Sequence, residues 1–298
     1  KLLIVGDDNQ VSPTPPFIEF NKFLQLKRHY LDEQPFGDIM LPGYSLYDLA
    51  SAVFPGNKII LNEHFRCVEP IIRFSFQFYR GVTIHPLRIP KATERIDPPL
   101  VDIFVKDGQK RNDINFQEAD AIVDEIEAIV SDKEFENRSI GVISLIGRKQ
   151  SLLIQKKLLD RIGQEKYLAH RIVCGDSATF QGRERDIVFL SMIASPGQSR
   201  TQTDRSIEQR FNVAASRARD RLYLVRSVEL GDLKPNDLKY KLLSHLRDPM
   251  PQANDVDQEM IERCESDFER DVFKALTSKG YLTIPQVPVG EYRIDLVV

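Results

Sequence analysis

Short apolar runs rich in β-branched residues recur along this chain, separated by stretches with helical periodicity, and that alternation constrains the fold more than any other feature. The runs lie at 1–5, 58–61, 101–105, 139–145, 171–174, 186–193 and 221–225. Between them, residues 116–130 place Ala119, Ile122, Val123, Ile126, Ile129 and Val130 on one stripe, which predicts a helix with a buried face. Residues 151–162, rich in Leu and Ile, predict another. A helix between two strands returns the chain so that they run parallel, and strands apolar on both faces need cover on both. The expectation is an α/β body: a parallel sheet with helices on either side.

Charge and cysteine content narrow what such a body can do. The 298 residues hold 41 Lys and Arg against 44 Asp and Glu, a formal net charge of −3. A surface that is basic all over is excluded, so nucleic acid would have to bind along a local positive stripe. Cys67, Cys174 and Cys264 are odd in number, far apart and in no Cys-x-x-Cys pair, which argues against a disulfide framework or a zinc site and for a reducing, cytoplasmic setting. The histidines at 29, 64, 85, 170 and 245 share no metal-ligand spacing. No run approaches the roughly 18 apolar residues of a membrane helix, so no membrane partner is expected.

Pro-rich stretches at 13–16, 86–90 and 98–99 read as loops, and 248–255 reads as a linker. Beyond it a helix over about 257–278 and strand-like runs at 281–286 and 292–298 form a short α+β tail. The chain opens on an apolar run with no polar lead and closes in mid-strand, as a piece cut from a longer protein would.

Four segments carry chemistry. Gly-Asp-Asp-Asn-Gln at 6–10 follows the first run, where a tight turn would project polar side chains from the carboxyl end of a sheet, the edge at which ligands of parallel sheets bind; the same residues also make a plain β-turn. Asn-Glu-His-Phe-Arg at 62–66 sets an aromatic suited to stacking on a base beside a guanidinium suited to a phosphate, or equally a core Phe beside a surface Arg. In Asp-Ser-Ala-Thr-Phe-Gln-Gly-Arg-Glu-Arg-Asp at 176–186, Gln181 and Gly182 let the backbone turn closely past a ligand, and Glu184 is an acceptor for ribose hydroxyls. Residues 211–219, Phe-Asn-Val-Ala-Ala-Ser-Arg-Ala-Arg, read as helical, with Arg210 and Arg217 on one face. A rigidly held guanidinium suits the charge on a transferring phosphoryl group; the alternative is a helix solvated by arginines.

In order and approximate spacing these segments resemble motifs III, IV, V and VI of superfamily 1 helicases, closest to the 1B branch that contains the nonsense-mediated-decay RNA helicase and the replication helicase-nucleases. The resemblance covers about residues 1–248. It implies that 1–13 end a first RecA-like domain, that 14–248 form a second one of the P-loop NTPase fold, and that ATP lies between the two while single-stranded DNA or RNA crosses both. On that pattern Gln10 reaches the γ-phosphate, Phe65 stacks near the adenine, Arg66 meets the phosphates, Gln181, Gly182 and Glu184 bind ribose or neighbouring groups, and Arg217 is the arginine finger. Domain closure on ATP then becomes movement along the strand. Arg148, Lys149 and Thr179 are the strand-contacting candidates; Lys156 and Lys157 extend the same charge run, which also reads as a solvated face. The sequence departs from the family in having His64 and Phe65 where many relatives have Gln and Tyr, Ala178 for His or Asp, Ser216 for Thr, and a blurred strand-contacting pattern at 144–150.

No Gly-x-x-x-x-Gly-Lys-Ser/Thr occurs in the sequence. In the family the phosphate loop and the Mg²⁺-binding acidic motif precede motif III, so both would lie on the missing N-terminal RecA-like domain, and the fragment alone is expected to hydrolyse no ATP. Asp32 and Glu33 look like that acidic pair but fall in the wrong order. The first run, which in relatives belongs to the absent domain, is expected to lie apart from the main sheet or to pair opportunistically. After a linker at 249–256, residues 257–298 resemble the opening of a PD-(D/E)XK nuclease domain of the very-short-patch-repair type, in which Asp295 would help hold Mg²⁺ with Glu269 nearby. That tail favours DNA over RNA. Two other readings stay open: a nuclease with a nucleotide-gated helicase-like clamp, and a non-catalytic nucleic-acid scaffold.

Overall fold

A computed structural model describes residues 3–12, 19–41, 43–91, 94–197, 200–248, 260–278, 281, 283–289 and 292–298. The expected loop at 13–16 and all but the first residue of the expected linker lie outside these. The chain divides into two compact units, residues 1–249 and 250–298.

The first unit begins with helices α1 (Phe20–Tyr30) and α2 (Leu46–Val53), a two-residue pairing of β1 (Glu63–His64) with β2 (His85–Pro86), and α3 (Glu69–Ile72) between them. Its centre is a parallel sheet of β3 (Leu100–Phe104), β6 (Ile140–Ser144), β7 (Val173–Asp176), β8 (Arg185–Ser191) and β9 (Ala218–Arg226) in the order β3-β9-β8-β6-β7. A small antiparallel pairing of β4 (Lys110–Arg111) with β5 (Ile114–Asn115) precedes α4 (Phe116–Ile129). Helices α5 (Lys149–Ala169), α6 (Arg205–Ala215) and α7 (Leu238–Arg247) complete the unit. This is the parallel α/β architecture that the alternating runs predict.

Alternation along the strands splits the core in two. Ile140, Val142, Ile187, Phe189, Tyr223 and Val225 face the layer that holds the α4 stripe with Ile154 and Leu158 of α5. Ile143, Val188, Leu190, Leu222 and Leu224 face the other layer, with Ile71, Phe74, Phe211, Ala214 and Leu242. Asn115 starts α4 by accepting from the Glu118 amide at 3.0 Å. Helix α5 is broken at Gly163, whose φ of 76° and ψ of 166° are not helical.

Two expected strands are absent. Residues 58–61 join no strand ladder among the described residues, and Ile59 and Leu61 are almost fully exposed; β-branched side chains make a strand only when a pleated neighbour covers them. Residues 3–5 of the first run are likewise outside any strand.

In the second unit the expected long helix is interrupted. Residues 260–263 are helical, 264–266 are not, and α8 (Asp267–Ser278) restarts because the Ser266 hydroxyl accepts from the Glu269 amide at 3.1 Å while the Glu269 carboxylate accepts from the Glu265 amide at 2.9 Å. Residues 257–259 lie outside the described ones. Strands β10 (Ile284–Val289) and β11 (Tyr292–Val297) form an antiparallel pair in which Gln286 is left unpaired at φ 54°.

Candidate functional site

The parallel sheet places Glu184 and Arg217 side by side, because each immediately precedes the first residue of a neighbouring strand and Arg185 pairs with Ala218. Helix α6 ends at Ala215, with Ser216 as its cap. Arg217 therefore stands in the turn into β9 and does not share a helix face with Arg210 as expected; the chain must leave the helix there to enter the sheet. Arg66, from the turn after β1, reaches the same spot: its Nε donates to Glu184 Oε2 at 2.9 Å and its Nη1 to the Ser216 carbonyl at 3.4 Å.

The two guanidinium groups differ in surroundings. Arg66 has a carboxylate partner at the surface. Arg217 is 2% exposed, donates weakly to Gln10 Oε1 at 3.4 Å, and keeps a buried Nε with no acceptor among the described residues. Burial, and then the charge of Arg66, lower its pKa to about 10. The Arg66 turn is closed by His64, whose Nε2 accepts from the Cys67 amide at 3.0 Å. Burial and the adjacent Arg66 bring His64 down to about 4, so its ring is neutral and free to accept. Burial pushes the Cys67 thiol up to about 12, which leaves it unreactive.

The segment bearing Gln10 lies against α6, not beyond the carboxyl end of a strand as expected, since residues 3–5 join no sheet. Gln209 donates to the Asp8 carbonyl at 2.9 Å and Asn212 to the Asn9 carbonyl at 2.9 Å, while Tyr79 donates to Asp7 Oδ2 at 2.7 Å and accepts from Asn212 at 3.1 Å. Gln181 donates to the Val11 carbonyl at 3.3 Å. The sequence reading missed Tyr79, Gln209 and Asn212; the available signal was two amides one turn apart on an otherwise apolar helix face. Gly182 has φ of 77° with open space where a Cβ would stand, so glycine is needed for the turn rather than for close approach. The Phe65 ring is 64% exposed.

Arg148, Lys149 and Thr179 belong to the opposite edge. Arg148 precedes α5 just after β6, and Thr179 donates through its amide and hydroxyl to Asp176 Oδ1 at the end of β7, at 2.9 and 2.7 Å. Burial works against ionisation of Asp176, but Thr179 and the charge of Arg148 hold it below the usual carboxylate range. Ile146, Ile193, Gln202, Ile207, Lys110 and Lys239 line a cavity of about 270 Å³ beside the same edge.

In the second unit, Glu269 is engaged at the start of α8 and accepts from Gln286 Nε2 at 3.0 Å, and Asp295 is exposed on β11. Among the described residues, no group of three or more His, Cys, Asp or Glu could hold a metal ion.

Residues 43–229 match the family model described as an AAA domain. The chain belongs to the AAA domain family. The chain is 26% identical over 267 residues to an uncharacterized ATP-dependent helicase of Mycoplasma pneumoniae, the MG140 homolog. The match covers 82% of the chain but 22% of the relative, so the chain spans about a fifth of that protein's length. Against the C-terminal domain of a "possible DNA helicase" from Lactobacillus plantarum WCFS1, the identity is 19% and the TM-score 0.34, covering 58% of this chain and 99% of that one. No described helix of the chain is long and apolar enough to cross a membrane.

Proposed function

We propose that this chain contributes the second RecA-like domain of an ATP-dependent helicase, offering Arg66 and Arg217 to the phosphates of an ATP cradled by another domain while single-stranded DNA or RNA crosses the carboxyl edge of its sheet. One observation carries this: two arginines far apart in sequence meet at the amino ends of β8 and β9, and the buried one makes no direct ion pair and keeps an unmet Nε donor among the described residues. A buried cation with an unmet donor is costly, and an incoming anion relieves it. Two guanidinium groups side by side suit a triphosphate better than a single carboxylate. When bound, ATP would supply the phosphoryl chemistry. This chain's part is to hold Arg217 rigidly between α6 and β9, orient Arg66 through Glu184 and His64, and place Gln10 beside Arg217.

The sequence holds no phosphate loop, so the reading requires one from elsewhere in the polypeptide. The test is strand-stimulated ATP hydrolysis by a protein carrying both the phosphate loop and this chain. Arg217→Ala should abolish it while leaving single-strand affinity within about twofold; equal turnover with and without the substitution would falsify the assignment. No second reading has a comparable observation behind it: the nuclease-like tail offers Asp295 and a Glu269 already engaged in capping.

A further inference from the structure

Beneath the carboxyl edge lies a carboxylate that neither the phosphate site nor the strand candidates use. Glu118, in the first turn of α4, is fully buried, and no ion pair to it occurs among the described residues. Its Oε2 accepts from Ser191 Oγ at 2.8 Å and from the Ile193 amide at 2.8 Å; its Oε1 accepts from Asn115 Nδ2 at 3.2 Å and from Ser227 Oγ at 3.1 Å. These donors come from the end of β8, the turn after it, the start of α4 and the end of β9. Ile193 is a buried β-branched residue at φ 53°, a conformation such side chains rarely adopt and keep only when surroundings impose it. Gln150 extends the network: its Oε1 accepts from the Asn115 amide at 2.9 Å, and its Nε2 donates to the Asn115 carbonyl at 2.8 Å and to Ser191 Oγ at 3.1 Å. It sits in the first turn of α5, directly after Arg148 and Lys149.

We propose that Glu118 is a positioning residue for the strand-facing edge: its carboxylate clamps the Ile193 turn in the left-handed conformation and, through Ser191 and Gln150, fixes the start of α5 with its two cations. The second half rests on the reading that nucleic acid crosses this edge; the hold on the turn does not. The Ile193 and Asn115 groups are obligate donors, one on each carboxylate oxygen, so no orientation of a glutamine amide satisfies both. Without the anion the strained turn has nothing to pay for it, and Ile193, which also walls the cavity, relaxes.

The experiment uses the whole chain at about pH 8, comparing amide hydrogen exchange over 192–197 with the affinity for a fluorescein-labelled oligothymidylate. Glu118→Gln should speed exchange over that segment by at least about tenfold and weaken binding about tenfold. Adding Ile193→Gly, which adopts positive φ without strain, should recover most of both. A residue that merely filled the core would not be rescued by a glycine in another element. Should Glu118→Gln not fold, Ser191→Ala cuts the link between Glu118 and Gln150 more gently and should speed exchange about threefold. Unchanged exchange in either variant, or no recovery with glycine, overturns the proposal. A wild-type chain that binds no oligonucleotide, with exchange responding as described, sinks the reading of the edge as a strand path and supports the hold of Glu118 on the turn.

Discussion

The two ends of the sheet handle buried charge in opposite ways. At the amino ends of β8 and β9 a buried guanidinium, Arg217, is incompletely bonded and has a second cation beside it. At the carboxyl ends a buried carboxylate, Glu118, has both oxygens occupied by neutral donors. An unmet buried polar group costs roughly 1–3 kcal/mol, so its persistence points to a partner from outside the fold; a fully met group fixes local shape instead. On the proposed function the first end is where an anion arrives and the second is where a surface is held in form. The largest predicted difference follows: Arg217→Ala in a protein that also has the phosphate loop should lower strand-stimulated hydrolysis by on the order of 10³ without loosening the strand. Arg217→Lys should not rescue, because an ammonium cannot reach a phosphate and Gln10 together with the same planar geometry.

That contrast was only partly legible in the sequence. The sheet was, because alternation writes itself into 186–193 and 221–225: Val188 and Leu190 face one layer, Ile187 and Phe189 the other. Arg66, Glu184 and Arg217 were singled out by motif order, yet their meeting depends on the register that sets Arg185 opposite Ala218, which no local pattern reveals. The helix assumed to carry Arg217 was wrong because its small residues suit a helix and a close-packed turn equally well. Glu118 is not singled out by the sequence, because carboxylates are common in the first turn of a helix and nothing in its neighbours announces that Ser191, Ile193 and Ser227, more than seventy positions away, converge on it. Residues 58–61 failed in the other direction, having strand composition but no neighbour to cover them.

The two ends should also show opposite pH dependence. Burial raises Glu118 from the ordinary 4.5 to about 7, so the folded chain binds the proton more tightly than the unfolded one; the stability this adds is present in acid and lost as pH rises from about 4.5 through 7, by up to about 3 kcal/mol. The side chains bonded to Glu118, Asn115, Ser191 and Ser227, do not titrate in that range. Burial and Arg66 lower His64 from 6.5 to about 4, with Glu184 partly opposing them, so its contribution is full above 6.5 and lost as pH falls toward 4, by less than the shift alone suggests because the ring is partly solvated. In the wild type the two slopes oppose each other between about 4.5 and 6.5. Denaturant unfolding across that window should show His64→Gln losing stability more steeply as pH rises, and Glu118→Gln gaining more steeply. Parallel curves for both variants would mean that the two groups do not differ as their surroundings imply.

The smallest effect sharpens the comparison at the carboxyl end. Arg148 and Lys149 stand at the start of α5, with the Arg148 charge felt by Asp176, so an anion bound there would compete with a carboxylate already present. Each contact to a single-stranded phosphate contributes about 0.7 to the slope of log affinity against log salt. Arg148→Ala and Lys149→Ala should each weaken oligonucleotide binding several-fold at low salt and flatten that slope by about that much, with the double variant near additive and the thermal midpoint unmoved. Arg217→Ala, at the other end of the sheet, should leave the slope unchanged. If it flattened the slope as Arg148→Ala does, the strand would have to reach both ends of the sheet, and the division of labour between them would be lost.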